Sequence, residues 1–146
     1  MRGVLAIDLG SKKTGFAGAD PLRIAVRALD VCRHGERTEE LLAHIRGLYE
    51  ERDVGVFLLG YPVHMDGKPG ARAQAVGHFK EELAKAFPEV RIVLWDERLT
   101  TKAAEELLRE QGYNGKEIAR RRDSWSALVL LRDRISSGEP ERSPAE

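Results

Sequence analysis

Three acids stand where apolar runs begin or end. Asp8 follows Val4-Leu5-Ala6-Ile7, Glu97 closes the stretch VRIVLWDE at 90–97, and Asp123 separates three arginines from SWSALVLL. If folding gathers these carboxylates, their repulsion and desolvation are tolerable only beside a cation. Two divalent ions about 4 Å apart would neutralise such a cluster and activate water for in-line attack on a phosphodiester. Taken singly, each acid has a plainer reading: Asp8 as a turn residue, Glu97 as half of a surface ion pair with Arg98, and Asp123 as a helix N-cap. Asp8 fits its plain reading least, because it ends a near-continuous apolar strand, where α/β sheets place their ligands.

Basic groups adjoin every one of these acids. Lys12 and Lys13 follow Asp8, Arg98 follows Glu97, and Arg120, Arg121 and Arg122 precede Asp123, while Lys68 and Arg72 flank the loop MDGKPGAR. A phosphodiester substrate calls for that mixture, cations along the strand path and carboxylates with metal at the cut. Each cluster alone would read as a solvated face. His64 could contact phosphate or face solvent. Gly70 precedes a predicted helix whose free N–H groups could hold a phosphate, or it simply starts that helix.

The elements that must position these groups follow from periodicity. Strands are predicted at 3–9, 14–20 and 25–31, joined by short turns into an antiparallel meander. Leu41, Leu42, Ile45 and Leu48 recur at helical spacing within 37–52. VGVFLLGY at 54–61 reads as a buried strand, and the apolar side of 71–87 as a helix. A strand at 90–97 and a helix at 101–111, with Thr100 or Thr101 as cap, come next. The polar, glycine-bearing stretch 112–118 predicts a loop or mobile segment, and a last helix spans 123–136. The whole makes one α/β domain over 1–138, a mixed sheet with helices on its faces, and the polar, proline-bearing residues 139–146 form a disordered tail.

Bulk properties bound the function without choosing it. The chain of 146 residues is long enough for one core, and no stretch approaches the roughly 20 apolar residues of a membrane span. The N-terminal apolar run reaches Asp8 too soon for a signal peptide, so the cytoplasm is the expected compartment. With 24 basic and 24 acidic residues the net charge is zero, so any polyanion surface must come from local clustering. The one cysteine, Cys32, is expected to be a buried structural thiol.

AIDLGSKKTGFAGAD, LLGYPVHMDGKPGARAQAVGHF, LWDERLTT and the late Asp123 before SALVLL occur in that order, and together they resemble the RuvX/YqgF family of Holliday junction resolvases, also described as pre-16S ribosomal RNA nucleases. The likeness runs from about Val4 to about Ile135. It implies a ribonuclease H-like fold, a five-stranded mixed sheet flanked by helices whose first three strands are antiparallel. It also implies an acidic site using magnesium or manganese, with Asp8, Glu97 and Asp123 as catalytic residues and metal ligands. The substrate implied is a four-way DNA junction or the 5′ end of precursor 16S rRNA, handled by a monomer or a homodimer. The chain departs from the family pattern at Tyr61 and His64, and strand VFLLGY carries no acid, so Glu97 takes that place.

Two other functions remain open at this level. DLGSKKTGFAGAD also looks like the phosphate hairpin of the actin-like sugar kinase superfamily, but those proteins clamp nucleotide between two such domains, and this chain has one copy. A non-catalytic ribosome- or RNA-binding factor on a nuclease scaffold is the other, against which the three intact acids argue, since clustered like charge without metal is only a cost.

Overall fold

The structure is a computed structural model that describes residues 2–62, 70–97 and 100–140, the side chains of 100 and 101 excepted. Lys68, His64, Arg98 and residues 141–146 of the expected tail lie outside it.

Among the described residues nine elements are formed: β1 (Gly3–Asp8), β2 (Lys13–Ala19), β3 (Val26–Arg33), α1 (Thr38–Glu51), β4 (Val54–Tyr61), α2 (Ala71–Ala86), β5 (Arg91–Asp96), α3 (Thr100–Glu110) and α4 (Gly115–Ser136). The sheet order is β3-β2-β1-β4-β5. β1 pairs antiparallel with β2, and β2 with β3, while β1–β4 and β4–β5 are parallel. This is the expected five-stranded mixed sheet.

Alternation along the strands divides the core in two, because successive side chains leave opposite faces. Leu5, Ile7, Phe16, Phe57 and Leu59 pack against Leu41 and Ile45 of α1 and Val76, Phe79 and Leu83 of α2. Val4, Ala6, Ala17, Leu58, Val93 and Trp95 pack against Ala127, Leu128, Leu130 and Leu131 of α4. A fully buried leucine of this kind contributes roughly 1.5–3 kcal/mol. On the α4 face β1 and β2 offer mostly alanine and glycine, and small side chains let a helix lie close to a sheet. Cys32 is a buried thiol of the first core, as expected.

The last helix departs from the expectation. It begins at Gly115 rather than near 123, so most of 112–118 is cap and first turn. Asn114 caps it, its side-chain oxygen accepting from the Glu117 N–H at 3.0 Å and its amide donating to Glu117 Oε1 at 3.3 Å. The periodicity was hidden because Gly115, Lys116, Ala119 and Arg120 are exposed and only Ile118 in this stretch is buried. Asp123 therefore lies inside α4, and its reading as an N-cap falls.

At the other end, Arg134 is buried, and its guanidinium reaches Glu139 and the carbonyls of Glu139 and Pro140. Glu139 also pairs with Arg23 at 2.9 Å. The first two residues of the expected tail are thus held to the body. Among the described residues no helix is long and apolar enough to cross a membrane.

Candidate active site

β1, β4 and β5 are parallel, so their carboxyl ends share one edge of the sheet. Asp8 is the last residue of β1, and Glu97 follows β5 directly, its N–H bonded to the Tyr61 carbonyl of β4 at 3.1 Å. Asp8 continues the parity of Val4 and Ala6 and so faces α4. Its register partner across β2 is Gly15. Gly15 in turn lies beneath the main chain of Asp123, so close that a Cβ built on it would overlap the Asp123 carbonyl. This pairing carries the third acid to the first. A second glycine makes room for the other carboxylate: a Cβ on Gly60 would stand 2.7 Å from Glu97 Oε2.

The result is a pocket of about 230 Å³ lined by Asp8, Leu9, Gly10, Lys13, Arg72, Glu97 and Asp123. Among the described residues two cations reach into it. Arg72, in the first turn of α2, donates through Nε to Glu97 Oε1 at 2.8 Å and through Nη2 to Asp8 Oδ1 at 3.2 Å. Lys13 Nζ lies 2.9 Å from Asp123 Oδ2. That oxygen is buried and has no partner with hydrogen-bond geometry, so the contact is an ion pair without a directed bond.

Asp8 feels the environment most. Burial is the main cause pushing its carboxyl up, to about 7, aided by the charges of Glu97 and Asp123 and by hydrogen bonding with Glu97, and opposed by Arg72. A carboxyl so placed is half protonated near neutrality unless a further cation enters.

The hairpin that carries Lys13 is tied to the end of β3 by hydrogen bonds. The N–H groups of His34 and Gly35 both donate to the Lys12 carbonyl, at 3.0 and 2.8 Å. Beneath it, buried Thr14 Oγ1 and His34 Nε2 are 2.8 Å apart, and His34 Nδ1 lies 2.7 Å from the Gly35 carbonyl oxygen. The side chain of Lys12 itself is exposed.

The remaining predicted basic residues separate. Arg122 turns to α3 and meets Glu105 Oε1 at 3.4 Å. Arg120 and Arg121 instead line a groove of about 480 Å³ between β3 and α4, together with Arg33, Ser124 and Trp125. The Arg121 guanidinium stacks 4.4 Å over the ring of Tyr113, which meets Trp125 edge-on. Ser124 Oγ donates to the Leu29 carbonyl at 2.5 Å and ties α4 to β3. Gly15, Gly60, Arg33 and Ser124 were not singled out by sequence reasoning. Arg33 alone left a signal, since an antiparallel meander sets the end of β3 beside the start of β2, and Arg33 is the register partner of Lys13.

Whether these residues suit a divalent cation is a question of donor type and placement. The donors are all carboxylate oxygens, the hard ligands that magnesium and manganese prefer. Among the described residues no trio of acidic, histidine or cysteine side chains stands at ligating separation. The carboxylates share one pocket, with Arg72 bridging two of them and Lys13 on the third. Donor chemistry fits, and two resident cations supply the compensating charge.

A sequence model of the RuvX family, described as Holliday junction resolvase, matches residues 2–137. A protein of Anaeromyxobacter sp. named "Putative pre-16S rRNA nuclease" is 42% identical over 127 residues, covering 87% of this chain and 91% of its own. A protein of the same name from Rubrobacter xylanophilus is 40% identical over 135 residues, covering 92% of this chain and 93% of its own. Among solved structures, T. thermophilus RuvC in complex with a Holliday junction substrate superposes with a TM-score of 0.61 at 15% identity, covering 97% of this chain and 99% of that one. The fowlpox virus resolvase with Holliday junction DNA gives 0.59 at 11% identity, covering 94% and 99%. These two likenesses establish a RuvC-like, ribonuclease H-like fold.

Proposed function

The chain belongs to the RuvX family of nucleases, and on that premise we propose that it is a divalent-metal-dependent endonuclease of structured nucleic acid whose catalytic carboxylates are Asp8, Glu97 and Asp123. The observation that carries this reading is the shared pocket. Three acids from β1, the end of β5 and the middle of α4 line one cleft at the carboxyl edge of the parallel strands, beside two basic side chains.

In this reading the three carboxylates would hold magnesium or manganese, which would supply an activated water and stabilise charge on the scissile phosphate. The chain's own residues do the rest. The buried Thr14–His34 pair and the Lys12 carbonyl fix the hairpin so that Lys13 borders the cleft. Arg72 and Lys13 offer cationic contacts to a phosphate at the cut, and Lys12 offers one at the rim. Arg120 and Arg121 extend the positive path along the groove toward β3. Lys68 and Arg98 belong to the same proposed contact set by their place in the sequence motifs.

The names of the relatives at 42% and 40% identity favour precursor 16S rRNA as the substrate. The discriminating experiment sets a labelled precursor 16S rRNA fragment beside a labelled four-way DNA junction, each with magnesium or manganese. Cleavage of the RNA with an untouched junction supports the proposal. Cleavage of the junction alone reverses the substrate, and cleavage of neither with either metal refutes the nuclease reading.

A further inference from the structure

Arg72 stands between two of the three acids that would hold a cation. Its guanidinium spans two of the three acids, with Nε on Glu97 Oε1 at 2.8 Å and Nη2 at 3.2 Å from Asp8 Oδ1 and 3.4 Å from Glu97 Oε2. A metal ion held by Asp8 and Glu97 would draw on the same carboxylate oxygens that accept these N–H groups. Planar guanidinium and metal ion cannot both hold the gap between Asp8 and Glu97, since two positive charges there would compete for the same oxygens and repel each other.

The arginine also has somewhere to go. It is the second residue of α2, its side chain is 48% exposed, and the helix has no acid in its first turn to capture it. It borders the acidic pocket on one side and a larger cavity of about 530 Å³ on the other, so the walls leave open space beside it. Lys13 differs, because it begins β2 on a hairpin that His34 and Gly35 pin in place.

We propose that Arg72 is an exchangeable counter-ion that couples metal loading to substrate capture: it holds Asp8 and Glu97 until a divalent cation displaces it, and only then is its guanidinium free to take a substrate phosphate. The proposal rests on the reading of the three acids as a cation site. Coupling is reciprocal, so a nucleic acid that engages Arg72 raises affinity for the cation by the same factor that the cation raises affinity for nucleic acid.

The test measures binding rather than turnover. Manganese is titrated calorimetrically into the wild-type chain, Arg72→Gln and Arg72→Lys, with a thermal melt of each to confirm folding. A fluorescein-labelled RNA hairpin carrying a non-hydrolysable linkage is titrated into each protein with and without manganese. Arg72→Gln should bind manganese about tenfold more tightly than wild type, having lost its internal competitor. Arg72→Lys, which keeps the charge but cannot bridge two carboxylates, should fall between them. Manganese should tighten hairpin binding about tenfold in wild type and less than about twofold in Arg72→Gln. Manganese affinity unchanged or weakened in Arg72→Gln, or full coupling retained in it, overturns the exchange and leaves the cation site standing. No manganese uptake by the wild-type chain overturns the cation site and the exchange with it.

Discussion

Gly15 and Asp123 touch through their main chains. The Cα of Gly15 faces α4 so closely that an added Cβ would overlap the Asp123 carbonyl and stand 2.8 Å from the Ser124 nitrogen. Since Gly15 is also the register partner of Asp8, this single contact sets the separation of two of the three acids. Gly15→Ala should push α4 off the sheet at that point, lowering stability by about 1–3 kcal/mol in denaturant titrations. Manganese uptake should weaken with it. A variant that keeps both stability and uptake would show that α4 is free to shift without disturbing the pocket.

Asp8→Asn should abolish cleavage and stabilise the metal-free protein above neutrality. The Asp8 carboxyl is pushed up to about 7 from an ordinary value of 3.8, chiefly by burial and then by Glu97. An acid raised on folding favours its protonated form, so the stability it gives is complete below about pH 4 and is lost as pH climbs to about 7. In metal-free buffer the wild-type denaturation midpoint should therefore drop across that window relative to Asp8→Asn. The difference above pH 7 should be on the order of 1 kcal/mol or more in favour of the variant. Parallel pH profiles would contradict the assignment of Asp8 as the strained carboxyl.

The consecutive arginines of α4 should behave unequally. Arg120→Ala, and Arg33→Ala at the facing strand, should each lower the slope of log affinity against log salt for nucleic acid by about one. Arg122→Ala should leave that slope nearly unchanged, because Arg122 is engaged with Glu105. Its cost to stability should be at most about 1 kcal/mol, as for other partly exposed ion pairs. Equal slopes for the three variants would remove the groove between β3 and α4 from the binding path.

Asn114→Ala tests the early start of α4. Loss of the cap on the Glu117 N–H should cost about 1 kcal/mol and bring protease cleavage into 112–118, the stretch whose composition looks like a loop. Undiminished stability and protease resistance would place the effective start of the helix beyond this turn.

Much of the architecture is legible in single residues of the sequence. The alternation of Leu5 and Ile7 against Val4 and Ala6 gives β1 its two buried faces, and the 41–45–48 spacing gives α1 its stripe. Asp8 and Glu97 stand out because a carboxylate at the end of an apolar strand is costly without a partner. Tertiary structure alone supplied the rest. The exposed first turns of α4 carry almost no apolar period, so the Asn114–Glu117 cap was the one available sign of its start. Arg120, Arg121 and Arg122 look equivalent as letters, yet each step along a helix turns a side chain by about 100°. The bridge from Arg72 to Asp8 and Glu97 joins residues far apart in the chain, and so does the seat of Asp123 on Gly15. Local patterns record which face of an element is buried. How nearly two elements approach depends on sheet order and on where Cβ atoms are missing, and that distance has no period to read.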